Sequence, residues 1–229
     1  MSTADSRLCL IYRVFMARVT QIQGDWASQA EQDLLDQALL LAPSRGWSWP
    51  MVRAAGRACG LSVPETELLV PHGPADLAAL LSRRHDAEAL AALPNPSNLK
   101  IREKIREAVT ARLAAAAQDG PALRRWAGWL ALPLNMPLAL RLVWESADGL
   151  WRWAGDTATD ENHYSKRAIL AGILISALAI QMQSGSVDAL KFVDARIENV
   201  MAFEKWKAGI KPSDLIRDVA EALSRIRYR

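Results

Sequence analysis

The longest apolar run in the chain, Ala168 to Ile180, holds thirteen residues without a charge and is bounded by Arg167 and Gln181. As a helix it rises about 20 Å. The hydrocarbon core of a bilayer needs about 30 Å, so the run is expected to be a buried helix, and no segment is expected to span a membrane. Half of the 229 residues are apolar, which supports one large domain or two small ones. Gly and Pro are sparse while Ala and Leu are abundant, a balance that favours helices over strands. The expected class is all-α.

Pro, Gly and Asn divide the chain into helical segments. Trp26, Ala30, Leu34, Ala38 and Leu41 recur at helical spacing with Leu35 and Leu39. Ser28 and Glu31 offer this first helix a capping box, and Pro43 to Gly46 is expected to end it. Further helices are read at 48–58, 62–70, 76–93, 98–118, 121–132, 137–154, 160–183 and 186–207. Lys211-Pro212-Ser213 opens a last one. Residues 1–24 are expected to take no part in the fold. Leu8 to Met16 is apolar and lies among Arg7, Arg13 and Arg18. It lacks the small-residue cleavage site of a secretory signal, and reads either as a targeting-like segment or as upstream of a start at Met16.

Composition narrows the partners. A net charge of +3 is too small to argue for nucleic acid. Cys9 and Cys59 are far apart and without motif, which points to a reducing compartment and not to a disulfide framework. Nine tryptophans suit either lipid pockets and membrane interfaces or ordinary core filling.

The stretch Trp49-Pro50-Met51-Val52-Arg53-Ala54-Ala55-Gly56-Arg57-Ala58-Cys59-Gly60-Leu61-Ser62 has the glycine turn of a helix-turn-helix and is similar to the opening of TetR-type repressors. The following helix would have to meet phosphates and base edges with basic or amide side chains. Here it reads Val63-Pro64-Glu65-Thr66-Glu67-Leu68-Leu69-Val70, with two acids and no base. The expectation is a reused fold without DNA binding.

The most distinctive stretch is Trp151-Arg152-Trp153-Ala154-Gly155-Asp156-Thr157-Ala158-Thr159-Asp160-Glu161-Asn162-His163-Tyr164-Ser165-Lys166-Arg167-Ala168. Gly155 can end one helix and Thr159 can cap the next. Asp160 and Glu161 suit its first turn, and Lys166 and Arg167 can reach back toward the acids. Read this way the block is a well-capped structural corner. Asp156, Asp160, Glu161 and His163 are also the best grouping for a metal, although a helix start explains their spacing equally. The chain carries no nucleophile elbow, phosphate-binding glycine loop or paired-histidine metal spacing. No catalytic residue, metal or cofactor is expected, and the protein is read as non-enzymatic.

The wording of this corner resembles the ubiquinone-biosynthesis accessory family called coenzyme Q protein nine. Its members carry Ala-Gly-Asp, Ser/Thr, Thr-Asp, an aromatic, Asn-Trp-Tyr-Thr and Lys/Arg-Arg at this place. Lys104-Ile105-Arg106 with Val109 and Arg112-Leu113, the elbow Leu134-Asn135-Met136-Pro137, and Phe192-Val193-Asp194-Ala195-Arg196-Ile197-Glu198-Asn199-Val200-Met201 are similar to other parts of the family. The likeness covers roughly residues 24 to 229. It implies a TetR-repressor-like helical fold that does not regulate genes: an N-terminal helix-turn-helix-like bundle, a larger helical ligand domain and a C-terminal amphipathic helix. It also implies binding of a prenyl quinone precursor or phospholipid, presentation of it to the di-iron hydroxylase of the pathway, and peripheral membrane contact. The family's partner-facing patch maps here onto Asp156, Asp160, Asn162, His163 and Tyr164. Glu161 and His163 replace the family's aromatics, a departure that bears on that surface.

The implied division is 25–75 for the helix-turn-helix-like part, 76–208 for the lipid-binding part and 209–229 for the membrane helix. Candidate pocket residues are Leu138, Leu142, Leu150, Ile169, Ile173, Leu174, Ala177, Leu178, Met182, Phe192, Ile197, Val200 and Met201. Sites between helices are lined this way, as is a plain packed core. In the last segment Leu215, Ile216, Val219, Leu223 and Ile226 form an apolar stripe, with Arg217 and Arg225 among its bases. That helix either docks on the protein or lies in the membrane interface. The alternative function is a ligand-responsive repressor on the same fold, and a homodimer is compatible with either reading. The place implied is the cytoplasmic face of a bacterial inner membrane or the matrix side of the mitochondrial inner membrane.

Overall fold

The computed structural model describes the backbone of residues 26–157 and 161–209, and all of their side chains except those of 161, 162 and 201–209. Among the described residues there are nine α-helices and no strand: α1 (26–45), α2 (Trp49–Ala58), α3 (Val63–Leu69), α4 (Pro74–Ala92), α5 (Ile101–Ala117), α6 (Gly120–Leu130), α7 (Met136–Trp153), α8 (Glu161–Ser184) and α9 (Ser186–Gly209). The all-α expectation and the order of segments hold. The N-terminal segment, Thr159 with Asp160, and the C-terminal stripe with Leu215, Ile216, Arg217, Val219, Leu223, Arg225 and Ile226 lie outside the described residues.

Helix boundaries follow local chemistry, with one correction. Trp26 and Ala27 are already helical, so Ser28 sits inside α1 and cannot be its N-cap. The capping box occurs instead at α3, where the Glu65 carboxylate accepts from the Ser62 N–H at 2.8 Å while Ser62 Oγ accepts from the Glu65 N–H at 3.4 Å. As expected, α1 ends within the Pro43 to Gly46 stretch: it runs through Pro43 to residue 45, and Gly46 follows with φ of 70°. Proline adds no N–H to the ladder, and the carbonyl of Pro43 is taken by Arg125 Nε of α6 at 3.2 Å. Gly56 lets α2 and α3 meet, because a Cβ there would lie 2.1 Å from Thr66 Oγ1.

Two cores form. The first joins Leu34 and Leu35 of α1, Met51 and Val52 of α2, Leu77 and Leu81 of α4, and Leu123 and Trp126 of α6. The second joins Ile105 and Val109 of α5, Leu150 of α7, Leu170 and Leu174 of α8, and Val193 of α9. Leu178 of α8 packs against both. The expectation of a buried helix for this run holds for one face of α8 only. Leu170 and Ala177 are sealed inside, but Ile169 and Ile175 are 41% and 51% exposed. The helix is apolar on both faces, so periodicity could not tell the inner from the outer. His163–Ser184 is long and apolar enough, by length and composition alone, to cross a membrane. Here one face packs against α5, α7 and α9.

Polar ties cross between helices. Asp86 of α4 accepts from Arg112 Nε of α5 at 2.6 Å and from Ser146 Oγ of α7 at 2.7 Å. His85 of α4 is fully buried and its Nε2 lies 2.7 Å from Asp119 Oδ2, while Nδ1 has no partner among the described residues. Burial pushes the His85 pKa below its ordinary 6.5, helped by the nearby Arg112 charge and opposed by Asp119. The unfolded chain therefore takes up this proton more readily, and the neutral His85 contributes stability that is complete above about pH 6.5 and is lost as the pH falls toward the depressed value. Thermal melts from pH 7.5 to 5 should show a fall in Tm that flattens in His85→Asn relative to the parent.

Candidate cavity and the α7–α8 corner

The corner is built around a buried guanidinium. Gly155 ends α7 with φ of 88°, a left-handed conformation that glycine adopts without a Cβ clash. The chain turns so that Asp156 faces the start of α8. Arg167 is 2% exposed, and its Nε donates to Asp148 Oδ1 at 2.6 Å while Nη1 donates to Asp156 Oδ2 at 3.0 Å and to the His163 carbonyl at 3.1 Å. Lys166 Nζ reaches Asp156 Oδ1 at 2.7 Å and lies over the Trp151 ring. Burial pushes the Asp156 carboxyl up, but the hydrogen bonds and charges of Lys166 and Arg167 outweigh it and hold the group below its ordinary value. Lys166 and Arg167 do reach back, but to Asp156 and Asp148.

This placement corrects Asp156 as a partner-facing residue: its carboxylate is 6% exposed and both oxygens are engaged. The same engagement removes it from a metal grouping, and among the described residues no three His, Cys, Asp or Glu side chains converge. Tyr164 does face outward at 64% exposure, packed between His163 and Trp144 at ring distances of 5.1 and 6.2 Å. Asp160 and the side chain of Asn162 are outside the described residues.

A cavity of about 310 Å³ lies between α4, α5, α6, α7 and α8. Its walls are Leu113, Trp126, Leu130, Leu142, Val143, Leu174 and Leu178, with Ala127, Ala131, Ala139 and Ala179 providing the space. Such a volume lies at the lower end of small-molecule sites. One end is polar and buried, formed by Ser82, Arg112 and Ser146. The other end opens at Met136, Leu140 and Ile175, each more than two-fifths exposed. A second space, about 210 Å³, lies between α5, α8 and α9 and is lined by Ile101, Ile105, Trp151, Ile173 and Ile197. A shallower cleft beside it is lined by Gly172, Ser176, Phe192 and Arg196.

The predicted lining residues therefore divide across α8. Leu142, Leu174, Leu178 and Met182 line the first cavity. Ile169, Ile173, Ile197 and Val200 line the second space, and Phe192 the cleft. Leu138, Leu150 and Ala177 line none of them; they pack into the cores. The side chain of Met201 lies outside the described residues. Sequence reasoning missed Trp126, Met136, Leu140 and the polar trio. A usable signal was present: no charge falls between Arg125 and Arg141. That stretch forms the elbow between α6 and α7, closed by Asn135 Nδ2 donating to the Trp129 carbonyl at 2.8 Å. It leaves Leu132 and Leu134 52% and 94% exposed beside the cavity mouth.

Fold and cavity together define an all-helical protein with an apolar, polar-ended internal space and no recognisable catalytic constellation among the described residues. The COQ9 family model matches residues 136–204, which hold α7, the corner, α8 and most of α9. "Ubiquinone biosynthesis protein COQ9, mitochondrial" of Rattus norvegicus is 29% identical over 187 residues, covering 76% of this chain and 59% of that protein. The Homo sapiens protein of the same name is 28% identical over 187 residues, covering 76% and 58%. "Probable ubiquinone biosynthesis protein coq9, mitochondrial" of Dictyostelium discoideum is 26% identical over 196 residues, covering 78% and 62%. This chain is similar to the COQ9 family over the stretch from α7 into α9, and it spans about three-fifths of the length of these relatives.

If Arg167 is the pin of the corner, removing one of its carboxylates leaves a buried charge half-compensated. Asp156→Ala should cost about 3 kcal/mol, a loss of roughly 6–12 °C in Tm for a chain of this size. Arg106→Ala, which breaks the exposed Arg106–Asp194 pair, should leave the Tm nearly unchanged, because solvent screens such a pair. Calorimetric melts of the two variants check the contrast.

Proposed function

We propose that this protein is a non-enzymatic accessory protein of ubiquinone biosynthesis that holds a prenyl quinone precursor or phospholipid and hands it to the ring hydroxylase of the pathway at a membrane. The carrying observation is the apolar cavity of about 310 Å³ that opens beside an exposed, uncharged elbow. The printed names of the relatives supply the pathway. Their names carry the word mitochondrial, which supports a mitochondrial place for a eukaryotic source; within it the reading puts the protein on the matrix side of the inner membrane, with the cytoplasmic face of the inner membrane as the bacterial counterpart.

The elbow supports the membrane part of the reading. Leu132, Leu134, Met136 and Leu140 are exposed in a stretch flanked by Arg124, Arg125 and Arg141. Large apolar groups with flanking arginines suit an anionic interface, where each buried leucine gains about 1.5–3 kcal/mol and each base about 1 kcal/mol. The C-terminal stripe around Leu223 would add to the same attachment. Nothing favours the repressor alternative: Glu65 of α3 is committed to its cap, and Glu67 holds Arg53 of α2 at 2.9 Å, taking up a base that phosphate would need.

Deleting the gene should lower ubiquinone and accumulate a precursor lacking a ring hydroxyl. The parent gene should restore both, and Ala139→Trp, which fills the cavity from a half-buried position on its wall, should not; unchanged quinones after deletion would refute the pathway assignment. Flotation with anionic liposomes should recover the full chain in a salt-weakened manner, and Leu134→Asp should cut recovery at least about threefold. Equal recovery of parent and variant would remove the elbow from the membrane contact.

A further inference from the structure

The cavity between α4, α5, α6, α7 and α8 is apolar except at its buried end. There Ser82 and Ser146 are 2% and 3% exposed, and Arg112 is 7% exposed. Asp86, behind the wall, takes the Nε edge of Arg112 at 2.6 Å and the Ser146 hydroxyl at 2.7 Å. Ser82 Oγ accepts from Arg112 Nη2 at 3.5 Å, which is long and weak. A guanidinium has five N–H groups, and among the described residues no other hydrogen bond of this one is found. A packed core would not leave such donors at the edge of an empty apolar space, because an unmet polar group at low dielectric costs more than a net hydrogen bond returns.

We propose that Arg112, Ser82 and Ser146 form a subsite for the neutral, hydroxyl-bearing head of an amphiphile, a phenol or hydroquinone, which enters head first. The inference rests on the ligand reading of the cavity given above. Neutrality follows from Asp86, whose carboxylate offsets the Arg112 charge and disfavours an anion beside it. A hydroxyl matches what remains: it accepts from an Arg112 N–H and donates to a serine oxygen. Orientation follows from exposure, since the polar trio is buried and the apolar mouth at Met136, Leu140 and Ile175 is open. The volume is about twice that of a cavity that binds one benzene. It takes a ring and a short length of tail, and the rest of a long tail leaves through the mouth. A ring held this way is sheltered, so hand-over proceeds by release through the mouth and not by chemistry on the bound ring.

Calorimetric titration of the purified full chain at neutral pH with 4-butylphenol, butylbenzene and 4-butylbenzoate tests this. The phenol should bind about tenfold tighter than butylbenzene, the benzoate no tighter than butylbenzene. In Ser146→Ala and in Arg112→Lys the phenol advantage should drop below about threefold while butylbenzene affinity stays unchanged. Should Arg112→Lys fail to fold, Ser146→Ala carries the test alone. Equal binding of phenol and butylbenzene to the parent overturns the subsite and leaves the cavity standing. Tightest binding of the benzoate overturns the neutral head in favour of an anion. Failure of all three to bind overturns the subsite together with the ligand reading of the cavity.

Discussion

The position of α8 depends on the Arg167 guanidinium. A buried cation is tolerated only when its charge and its N–H groups are met, and here Asp148 of α7 and Asp156 of the connecting turn meet them. Those two carboxylates lie on either side of the α7 terminus, so the pair fixes where α8 starts and the direction in which it leaves. Leu174 and Leu178 are carried with it toward α6 and α7, and Ile169 and Ile173 toward the other space. A single ion-paired residue thus decides which faces of an otherwise featureless apolar helix line a cavity and which seal a core.

The cavity is held open by small residues at the crossing of α6, α7 and α8. Ala127, Ala131, Ala139 and Ala179 stand where larger side chains would close the gap. Behind it, the Asp86–Arg112–Ser146 ties join α4, α5 and α7 and keep a polar end within an apolar space. Trp126 is both wall and strut: it lines the cavity, donates its indole N–H to the Ala78 carbonyl at 3.1 Å, and packs edge-on against buried His85. The cavity walls are therefore anchored in both cores, a rigid arrangement suited to a preformed site.

Much of the architecture was legible in the sequence. The helical periods and the Pro, Gly and Asn breaks place nearly every segment, and the Gly155 corner with its basic pair is readable from capping chemistry alone. The lining set was only partly legible. Leu174 and Leu178 are indistinguishable by pattern from Ile169 and Ile173, because α8 is apolar on every side, and which space each faces is set by tertiary packing. Ala177 and Leu150 look like lining residues and are core for the same reason. Asp156 was misplaced on the surface because the spacing of acids and bases does not reveal that Lys166 and Arg167 would close over it. The polar end escaped notice since Ser82, Arg112 and Ser146 lie on three helices and share no local motif.

The proposed function stands or falls on a lipid in the cavity. Native mass spectrometry of the gently purified full chain, followed by solvent extraction, tests it most directly. A prenyl quinone precursor or phospholipid should be bound in the parent protein, with a sharp loss of occupancy when Ala139→Trp fills the space. A protein that is lipid-free on purification and also takes up neither class on incubation with them would contradict it.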